Sequence, residues 1–301
     1  MVLFYQQFED LLLERMKELN PDDEVVMQNV KKNNGIELRG LCVRKSGESI
    51  SPTIYVQNYF SEDTSEDGID VIAKKIQKVI ESSQNERKQF EGVDKFLDFG
   101  EVADKIFFTV VNRDKNEELL KEIPHRELLD LAVVYKIHVN MIEGSTGSIQ
   151  IKNEFLKMWG VQEETLYQLA MKNTEKLFGT CLRGMNELLV EMCKGKVPDY
   201  LLPALEEDNL MYVSTNDEKC YGAGAIFLNK GFREEVHDKI GDFIIIPSSV
   251  HETILLPYDE SMESSEIRKM ISQVNEEQLD ATEVLSENVY FYKDNELQIM
   301  N

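Results

Sequence analysis

The chain has 301 residues, enough for one large or two medium domains, and its 42% hydrophobic and 9% aromatic residues are ordinary for a globular protein. Its 56 acidic residues outnumber 33 basic ones, which gives a net charge of -23 at pH 7. Nucleic-acid binding requires cations that neutralise phosphates, and anionic membranes repel the same acidic surface. We therefore predict no nucleic-acid partner and no membrane partner.

The cysteines and the N-terminal residues indicate a cytoplasmic protein. Cys42, Cys181, Cys193 and Cys220 are scattered and form no CxxC pair, so neither a zinc site nor a thioredoxin-like site is predicted. The N-terminal run is apolar, but it lacks a basic region and contains Glu9 and Asp10, unlike a signal peptide. No apolar stretch is long enough for a membrane helix.

The first third of the chain alternates helix and strand signals. Apolar residues at helical spacing predict a helix that ends at Asn20-Pro21, and a loose alternation predicts a strand over 24–30. A turn at Asn33-Asn34-Gly35 leads into a strand over 36–45, in which the apolar phase switches at Gly40 and predicts a bulge. A third strand over 53–60, an acidic loop over 61–68 and a helix over 69–82 follow.

The middle of the chain continues this mixture. We predict strands over 96–100 and 105–111, where IFFTVV has the continuous apolar character of a strand covered on both faces. A short helix over 117–123 precedes a cleanly alternating strand over 131–141, whose hairpin partner is 148–152. Three helices are predicted next, over 153–159, 162–178 and 182–192.

A composition change divides the chain into two predicted lobes, 1–194 and 204–301. Residues 193–203 contain Gly195, Pro198 and Pro203 and read as a linker, and strand signals dominate after it. These strands are predicted over 211–215, 242–247 and 250–257, with a helix over 266–274 and a hairpin over 289–300. Residues 259–301 hold eleven acids and three bases, eight excess negative charges, and we expect a solvated edge there. The predicted fold class is α+β, with antiparallel sheets and packed helices.

Two glycine-containing segments imitate ligand-binding loops without completing them. Asp63, Ser65, Asp67 and Gly68 start like a calcium loop, but the twelfth position is Lys74, where a glutamate is required, so no metal is predicted. The segment 222–225, Gly-Ala-Gly-Ala, lacks the third glycine and the lysine of nucleotide loops, and close backbone packing explains it better.

The densest polar cluster is the segment PSSVHE, residues 247–252, which lies between two apolar strands. It carries Ser248, Ser249, His251 and Glu252, and Asn216 at the end of the preceding strand signal could lie near it. A serine close to a histidine is compatible with a nucleophile and its base, but the GxSxG elbow and the second histidine of HExxH are both missing. A turn in which the serines satisfy backbone groups and the histidine lies at the surface is the simpler explanation of the segment.

Several segments together resemble a family that carries a domain of unknown function and occurs in low-GC Gram-positive bacteria, largely Clostridia. The resemblance runs from about Val25 to Pro257 and rests on IYVQNYF, IPHRELLDLAVVY, FLKMWGVQEETLYQLAMKNTEKLF, MYVSTN, GAGAIFL and IIIPSSVHETILLP. A second uncharacterised family, of Bacillus type, is distantly similar in the residues Trp159, Gly160, Leu166, Ala170 and Asn173. Neither resemblance implies an activity or catalytic residues.

The sequence leaves two functions open. The first is a cytoplasmic, non-enzymatic protein that binds a protein or small-molecule partner without a cofactor. The alternative is a hydrolase-like enzyme whose site is the PSSVHE segment, with Ser248, Ser249, His251 and Glu252 and with Asn216 as a further candidate. The two differ in geometry, because an enzyme needs these groups to converge within hydrogen-bond reach of one another.

Overall fold

A computed structural model of the chain describes residues 3–45, 53–87, 98–140, 146–193 and 211–300. It confirms the α+β class, because helices pack beside sheets in which every strand pair with a given register is antiparallel. Backbone contacts divide the chain into two compact units: residues 1–101 with 140–146, and residues 102–139 with 147–301.

The first unit is a three-stranded sheet with two helices. Helix α1 (Tyr5–Leu19) and helix α2 (Ile69–Arg87) accompany strands β1 (Glu24–Lys31), β2 (Glu37–Arg44) and β3 (Thr53–Tyr55), in the sheet order β1-β2-β3. Helix α1 forms an apolar stripe because its buried residues recur every four positions. The buried core of this unit contains Phe8, Leu12 and Met16 of α1, Leu41 and Val43 of β2, and Ala73, Ile76 and Ile80 of α2.

The predicted bulge at Gly40 is wrong, because β1 and β2 pair in one uninterrupted register from Glu24 opposite Arg44 to Lys31 opposite Glu37. The glycine instead permits a close approach of side chains. A Cβ atom at position 40 would clash with Cγ2 of Thr53 on β3 and would lie 3.0 Å from Cγ2 of Val30. Glycine is therefore required by packing across the sheet rather than by backbone conformation.

The second unit begins with a sheet formed by β4 (Ile106–Asn112), β5 (His125–Leu128), β6 (Leu131–Asn140) and β7 (Thr146–Gln150), in which β6 pairs with all three others. All seven residues of β4 are buried, which confirms the prediction from its continuous apolar run. Helices α4 (Glu117–Glu122), α5 (Asn153–Trp159) and α6 (Glu163–Phe178) accompany it, whereas the short helix α3 (Phe99–Val102) contains the point at which the chain passes from the first unit to the second. Asn173 of α6 fixes the helix to the start of β4, since its amide donates to the carbonyls of Ala103 (2.8 Å) and Ile106 (3.0 Å).

The remaining strands form a six-stranded antiparallel sheet in the order β13-β12-β10-β11-β9-β8. Its strands and helices are β8 (Cys181–Gly184), α7 (Met185–Met192), β9 (Tyr212–Thr215), α8 (Gly224–Leu228), α9 (Lys230–Ile240), β10 (Phe243–Ile246), β11 (Thr253–Pro257), α10 (Ser264–Glu277), β12 (Tyr290–Lys293) and β13 (Glu296–Ile299). Alternation places Phe243, Ile245, Leu255, Tyr290 and Tyr292 on one face, where all are buried.

This sheet joins residues from both sides of the predicted linker, because β8 pairs with β9 from Cys181 opposite Thr215 to Gly184 opposite Tyr212. The grouping by contacts thus differs from the predicted lobes 1–194 and 204–301, and residues 194–210 lie outside the described part. The helix predicted from 182 is also shorter, since its first residues belong to β8. Residues 99–100 of the strand predicted over 96–100 are helical, and 96–97 lie outside the described part.

The acidic segment 259–301 is not the solvated edge that its charge suggests. Its strand β12 pairs with the central strand β10, and Leu285, Val289, Tyr290 and Tyr292 are buried. The charged residues occupy the outward positions of these elements. The segment can therefore carry eight excess negative charges and still contribute buried residues to the core.

A half-buried hydrogen-bond cluster around Asp130 attaches this segment to the start of β6. The Asp130 carboxylate accepts hydrogen bonds from Ser286 Oγ (2.7 Å), Asn288 Nδ2 (2.9 Å) and the Tyr290 hydroxyl (2.8 Å). Burial, together with the neighbouring Asp130 charge, raises the pKa of Tyr290 far above its usual range. The phenol therefore stays protonated and remains a donor.

Candidate functional site

Two loops of the second unit bring the predicted site residues together. One follows β9 (residues 216–222), and the other joins β10 to β11 (residues 247–252). Because β9 and β11 pair antiparallel, with Ser214 opposite Thr253, the end of β9 lies beside the start of β11. The His251 carbonyl accepts hydrogen bonds from the Thr215 hydroxyl (2.9 Å) and the Gly222 N–H (3.0 Å), so the two loops are directly bonded.

The imidazole of His251 is held at both ring nitrogens. Its Nδ1 accepts a hydrogen bond from the N–H of Tyr221 at 3.1 Å, and its Nε2 lies 3.5 Å from Oε1 of Glu283. A backbone N–H can only donate, so Nδ1 carries no proton in this arrangement and the neutral ring has its proton on Nε2, facing Glu283. The Tyr221 and His251 rings are 5.5 Å apart, and 28% of the His251 side chain is exposed.

Ser249 is buried and supports the turn rather than the imidazole. Its Oγ accepts a hydrogen bond from the backbone N–H of His251 at 3.0 Å, and its own N–H donates to the carbonyl of Glu252 at 3.1 Å. These two bonds close a tight turn across positions 249–252. The hydroxyl is thus used by the backbone, as the structural interpretation of the segment expects.

Ser248 and Glu252 border the same turn, are half-buried, and have no side-chain hydrogen bond to another described residue. Asn216 is buried and closes its own loop, because its Nδ2 donates to the Cys220 carbonyl (2.7 Å) and its Oδ1 accepts from the Cys220 N–H (3.1 Å). The structure therefore places all five predicted residues in two adjoining loops. It directs Asn216 and Ser249 inward and leaves Ser248, His251 and Glu252 partly accessible.

Sequence reasoning missed four residues that contribute to this region: Lys136, Cys220, Tyr221 and Glu283. The Lys136 ammonium on β6 lies 4.2 Å from the centre of the Tyr221 ring, a cation–π distance. Burial raises the pKa of Cys220, which keeps it a thiol at neutral pH. The alternation of β6 places Lys136 on the same face as His138, but no sequence signal associates that face with residues 221 or 283.

Gly222 makes the contact between the loops possible. A Cβ atom at this position would lie 2.7 Å from the backbone nitrogen of Asn216, 2.7 Å from Oγ1 of Thr215 and 2.8 Å from the carbonyl oxygen of His251. At Gly224 it would lie 2.9 Å from the Phe108 ring. The interpretation of residues 222–225 as a close-packing segment is confirmed.

A separate concavity of about 390 Å³ is lined by Arg113, Asp114, Glu117, Leu120, Lys121, His125 and Glu127. It shares no residue with the two loops. Its cations are already paired, since Arg113 contacts Asp114 and Glu127 and Lys121 contacts Glu117 and Glu118. Among the described residues, no group of three or more His, Cys, Asp or Glu side chains could hold a metal ion.

The model of one protein family matches residues 3–294, and its description is a family of unknown function (DUF5688). The chain belongs to the DUF5688 family. The predicted resemblance to a domain-of-unknown-function family is thereby confirmed, and the DUF5688 match extends past Pro257 into the acidic segment, which our resemblance had left outside. No curated protein and no solved structure matches the chain. Membership of DUF5688 therefore supplies no named activity. In the described part of the chain, no helix has both the length and the apolarity needed to cross a membrane.

Proposed function

We propose that this DUF5688 protein is a binding protein without catalytic activity, and that loops 216–222 and 247–252 form its contact surface for a protein or small-molecule partner. The observation that supports this proposal is the engagement of His251 by Tyr221 at Nδ1 and by Glu283 near Nε2. A general base needs a ring nitrogen within reach of the proton that it removes. Here one nitrogen is occupied by a backbone donor, and the other faces a carboxylate.

The accessible groups around the two loops suit polar recognition. Ser248 and Glu252 offer a hydroxyl and a carboxylate with no partner among the described residues, and Lys136 offers an ammonium group above the Tyr221 ring. These groups surround a turn that Ser249 holds in place from below, next to the loop that Asn216 closes. A rigid turn that presents donors, an acceptor and an aromatic ring is typical of recognition loops on a sheet scaffold.

Binding can be tested by comparing partner capture by the full chain and by variants of its unbonded side chains. The full-length protein is used as bait in a lysate of its native host, and the captured partner is then titrated. We expect the double substitution S248A/E252A to weaken binding at least about tenfold, which corresponds to 1.4 kcal/mol. The exposed acid Glu260, substituted as E260A, is the charge-matched control. If S248A/E252A and wild type bind the partner with equal affinity, these loops are not the contact surface.

The alternative, a hydrolase-like enzyme, is favoured by one observation: a carboxylate, Glu283, faces the imidazole of His251 as an orienting acid would. Its test is a hydrolysis screen with activated esters and amides, in which wild type is compared with H251A and S248A. Turnover that H251A abolishes, while the thermal stability of H251A stays close to wild type, would establish the enzyme and reject our proposal.

Further expectations accompany this proposal. The net charge of -23 supports a cytoplasmic protein that binds neither nucleic acid nor membranes, and sub-micromolar binding to a random duplex in a gel-shift assay would contradict it. We also propose that the chain functions without a cofactor and derives from a low-GC Gram-positive, mostly clostridial lineage. The distant relationship to a second family of Bacillus type remains a prediction.

A further inference from the structure

Within the described part of the chain, strand β1 has an open edge. It pairs with β2 on one side, and on the other side the described residues contribute no strand. The hydrogen bond from the Lys32 N–H to the Ile36 carbonyl (2.7 Å) continues the β1–β2 register. Because antiparallel pairs alternate, even-numbered residues of β1 bond to β2, whereas the N–H and C=O groups of Val25, Met27, Asn29 and Lys31 point away from the sheet. The exposure of Gln28, Asn29 and Lys31 agrees with an uncovered edge.

We propose that this edge pairs with β1 of a second copy of the chain, antiparallel and about a twofold axis at Gln28. The two three-stranded sheets then form one sheet of six strands. The outward backbone groups determine which registers are possible, because only odd-numbered residues can face one another as hydrogen-bonded pairs. With the axis at Gln28, Met27 pairs with Asn29 and Val25 with Lys31 of the second copy. An isologous contact of this kind closes a dimer and leaves no free β1 edge.

The side chains of β1 match themselves in this register. Glu24 faces Lys32 of the second copy, and Val26 faces Val30, so two opposite-charge pairs flank two apolar pairs around Gln28. Val26 and Val30 are half-buried in the isolated unit and gain apolar contact. Directly opposite charges on neighbouring strands stabilise pairing, and like charges destabilise it. An axis at Met27 instead places Glu24 opposite Val30 and Val26 opposite Gln28, and loses both matches.

Glu24 and Lys32 are available for such pairs. Glu24 contacts Arg44 at 3.2 Å with both side chains largely exposed, and the Lys32 ammonium lies 4.3 Å from the Tyr55 ring centre. Neither contact buries the charged group. Two chains of net charge -23 repel one another at long range, and this repulsion is screened at physiological salt, where the Debye length is about 8 Å. The dimer is therefore expected at physiological rather than low ionic strength.

The test is sedimentation velocity of the full chain across a concentration series, with the charge reversals E24K and K32E. Wild type is expected to sediment at twice the 34.8 kDa chain mass at high concentration. Each single reversal places like charges opposite one another twice, and is expected to weaken the dimer about tenfold or more. An equimolar mixture of E24K and K32E restores two opposite-charge pairs in the heterodimer and is expected to dimerise like wild type. The matched controls E14K and K17E change the same charges at exposed positions of α1 and are expected to leave the dimer intact.

Circular dichroism and thermal melting of each variant show that the fold is kept. A wild-type chain that stays monomeric at its highest soluble concentration overturns the proposal and leaves the β1 edge to a strand of a different protein. Dimers that E24K and K32E do not weaken overturn it as well. Failure of the mixture to regain the dimer, with both variants folded, overturns the register about Gln28.

Discussion

Replacing Gly222 by alanine is the sharpest structural test of the two loops. The added methyl group would lie 2.7–2.8 Å from the nitrogen of Asn216, Oγ1 of Thr215 and the carbonyl oxygen of His251. Two of these three atoms belong to the backbone, so no side-chain rotation can relieve those two contacts. Residue 222 must therefore move by about 0.7 Å, away from Thr215 and Asn216 at the start of its own loop and away from His251, to reach ordinary contact distance.

That movement also breaks hydrogen bonds. The Gly222 N–H bond to His251 is 3.0 Å and the Tyr221 N–H bond to the imidazole is 3.1 Å, so an added separation of this size takes both beyond hydrogen-bond range. Overpacking costs about 1–3 kcal/mol, and each lost bond costs about 1 kcal/mol. We expect G222A to lower the free energy of unfolding by about 3–5 kcal/mol, which lowers Tm by about 10 °C for a unit of this size.

The assay is urea denaturation followed by far-UV circular dichroism, with Gly231→Ala as the matched control. Gly231 lies in the first turn of α9, where the nearest atom to an added Cβ is Oδ1 of Asn229 at 3.6 Å. Alanine fits there and favours the helix by up to about 1 kcal/mol. If G222A and G231A unfold at the same urea concentration as wild type, the loops are not held together by the contacts at Gly222.

Three other predictions concern buried or half-buried polar groups. Asn173→Ala leaves the carbonyls of Ala103 and Ile106 without their donor and is expected to lower the free energy of unfolding by about 1–3 kcal/mol in urea titration. Asn173→Asp replaces the donating amide by an accepting carboxylate, and its urea titration tests whether this costs more stability than alanine does. Asp130→Ala removes the acceptor of three donors and is expected to cost about 3 kcal/mol by thermal melting; a loss below 1 kcal/mol would contradict the cluster. Burial, with a smaller effect from Glu9, raises the pKa of Tyr5 to about 12, so the stability that its neutral form provides is complete below pH 10 and is lost as pH rises toward 12. Spectrophotometric titration of wild type against Y5F measures that midpoint, and a midpoint near 10 would refute the assignment.

Periodicity in the sequence predicts those helices and strands whose pattern of buried residues is regular. The strand at 106–112 is buried on both faces, and the helix from residue 69 has an apolar stripe. Both patterns arise from local geometry, so the sequence predicts them. The loop 247–252 could be predicted from the sequence for the same reason. Two apolar strands flank it, and this pattern indicates that polar residues are held at the strand ends.

The pairing of strands that lie far apart in the chain could not be predicted from the sequence. The strand Cys181–Gly184 is only four residues long and continues into a helix, so its helical signal dominated until its pairing with Tyr212–Thr215 was visible. Lys136 and Tyr221 meet across 85 positions of the chain, and no local pattern encodes that contact. The phase switch at Gly40 indicates either a bulge or a close approach of side chains, and only the register of β1 against β2 distinguishes the two. The prediction of a solvated edge over 259–301 was wrong for a similar reason. The overall charge of a segment does not show which of its alternate residues are buried.

The Asp130 cluster has a consequence for biosynthesis. Asp130 and its partner Tyr290 are 160 residues apart in the chain. At a synthesis rate of roughly 5–20 residues per second, the carboxylate is made roughly 8–32 s before the phenol that it binds. Once β10 is made, about 44 residues before β12, it has no β12 beside it for roughly 2–9 s at the same rate, and one of its edges stays unpaired. The nascent second unit is therefore an unfinished sheet with a free edge, the kind of species that chaperones bind, and its closure must follow translation of β12.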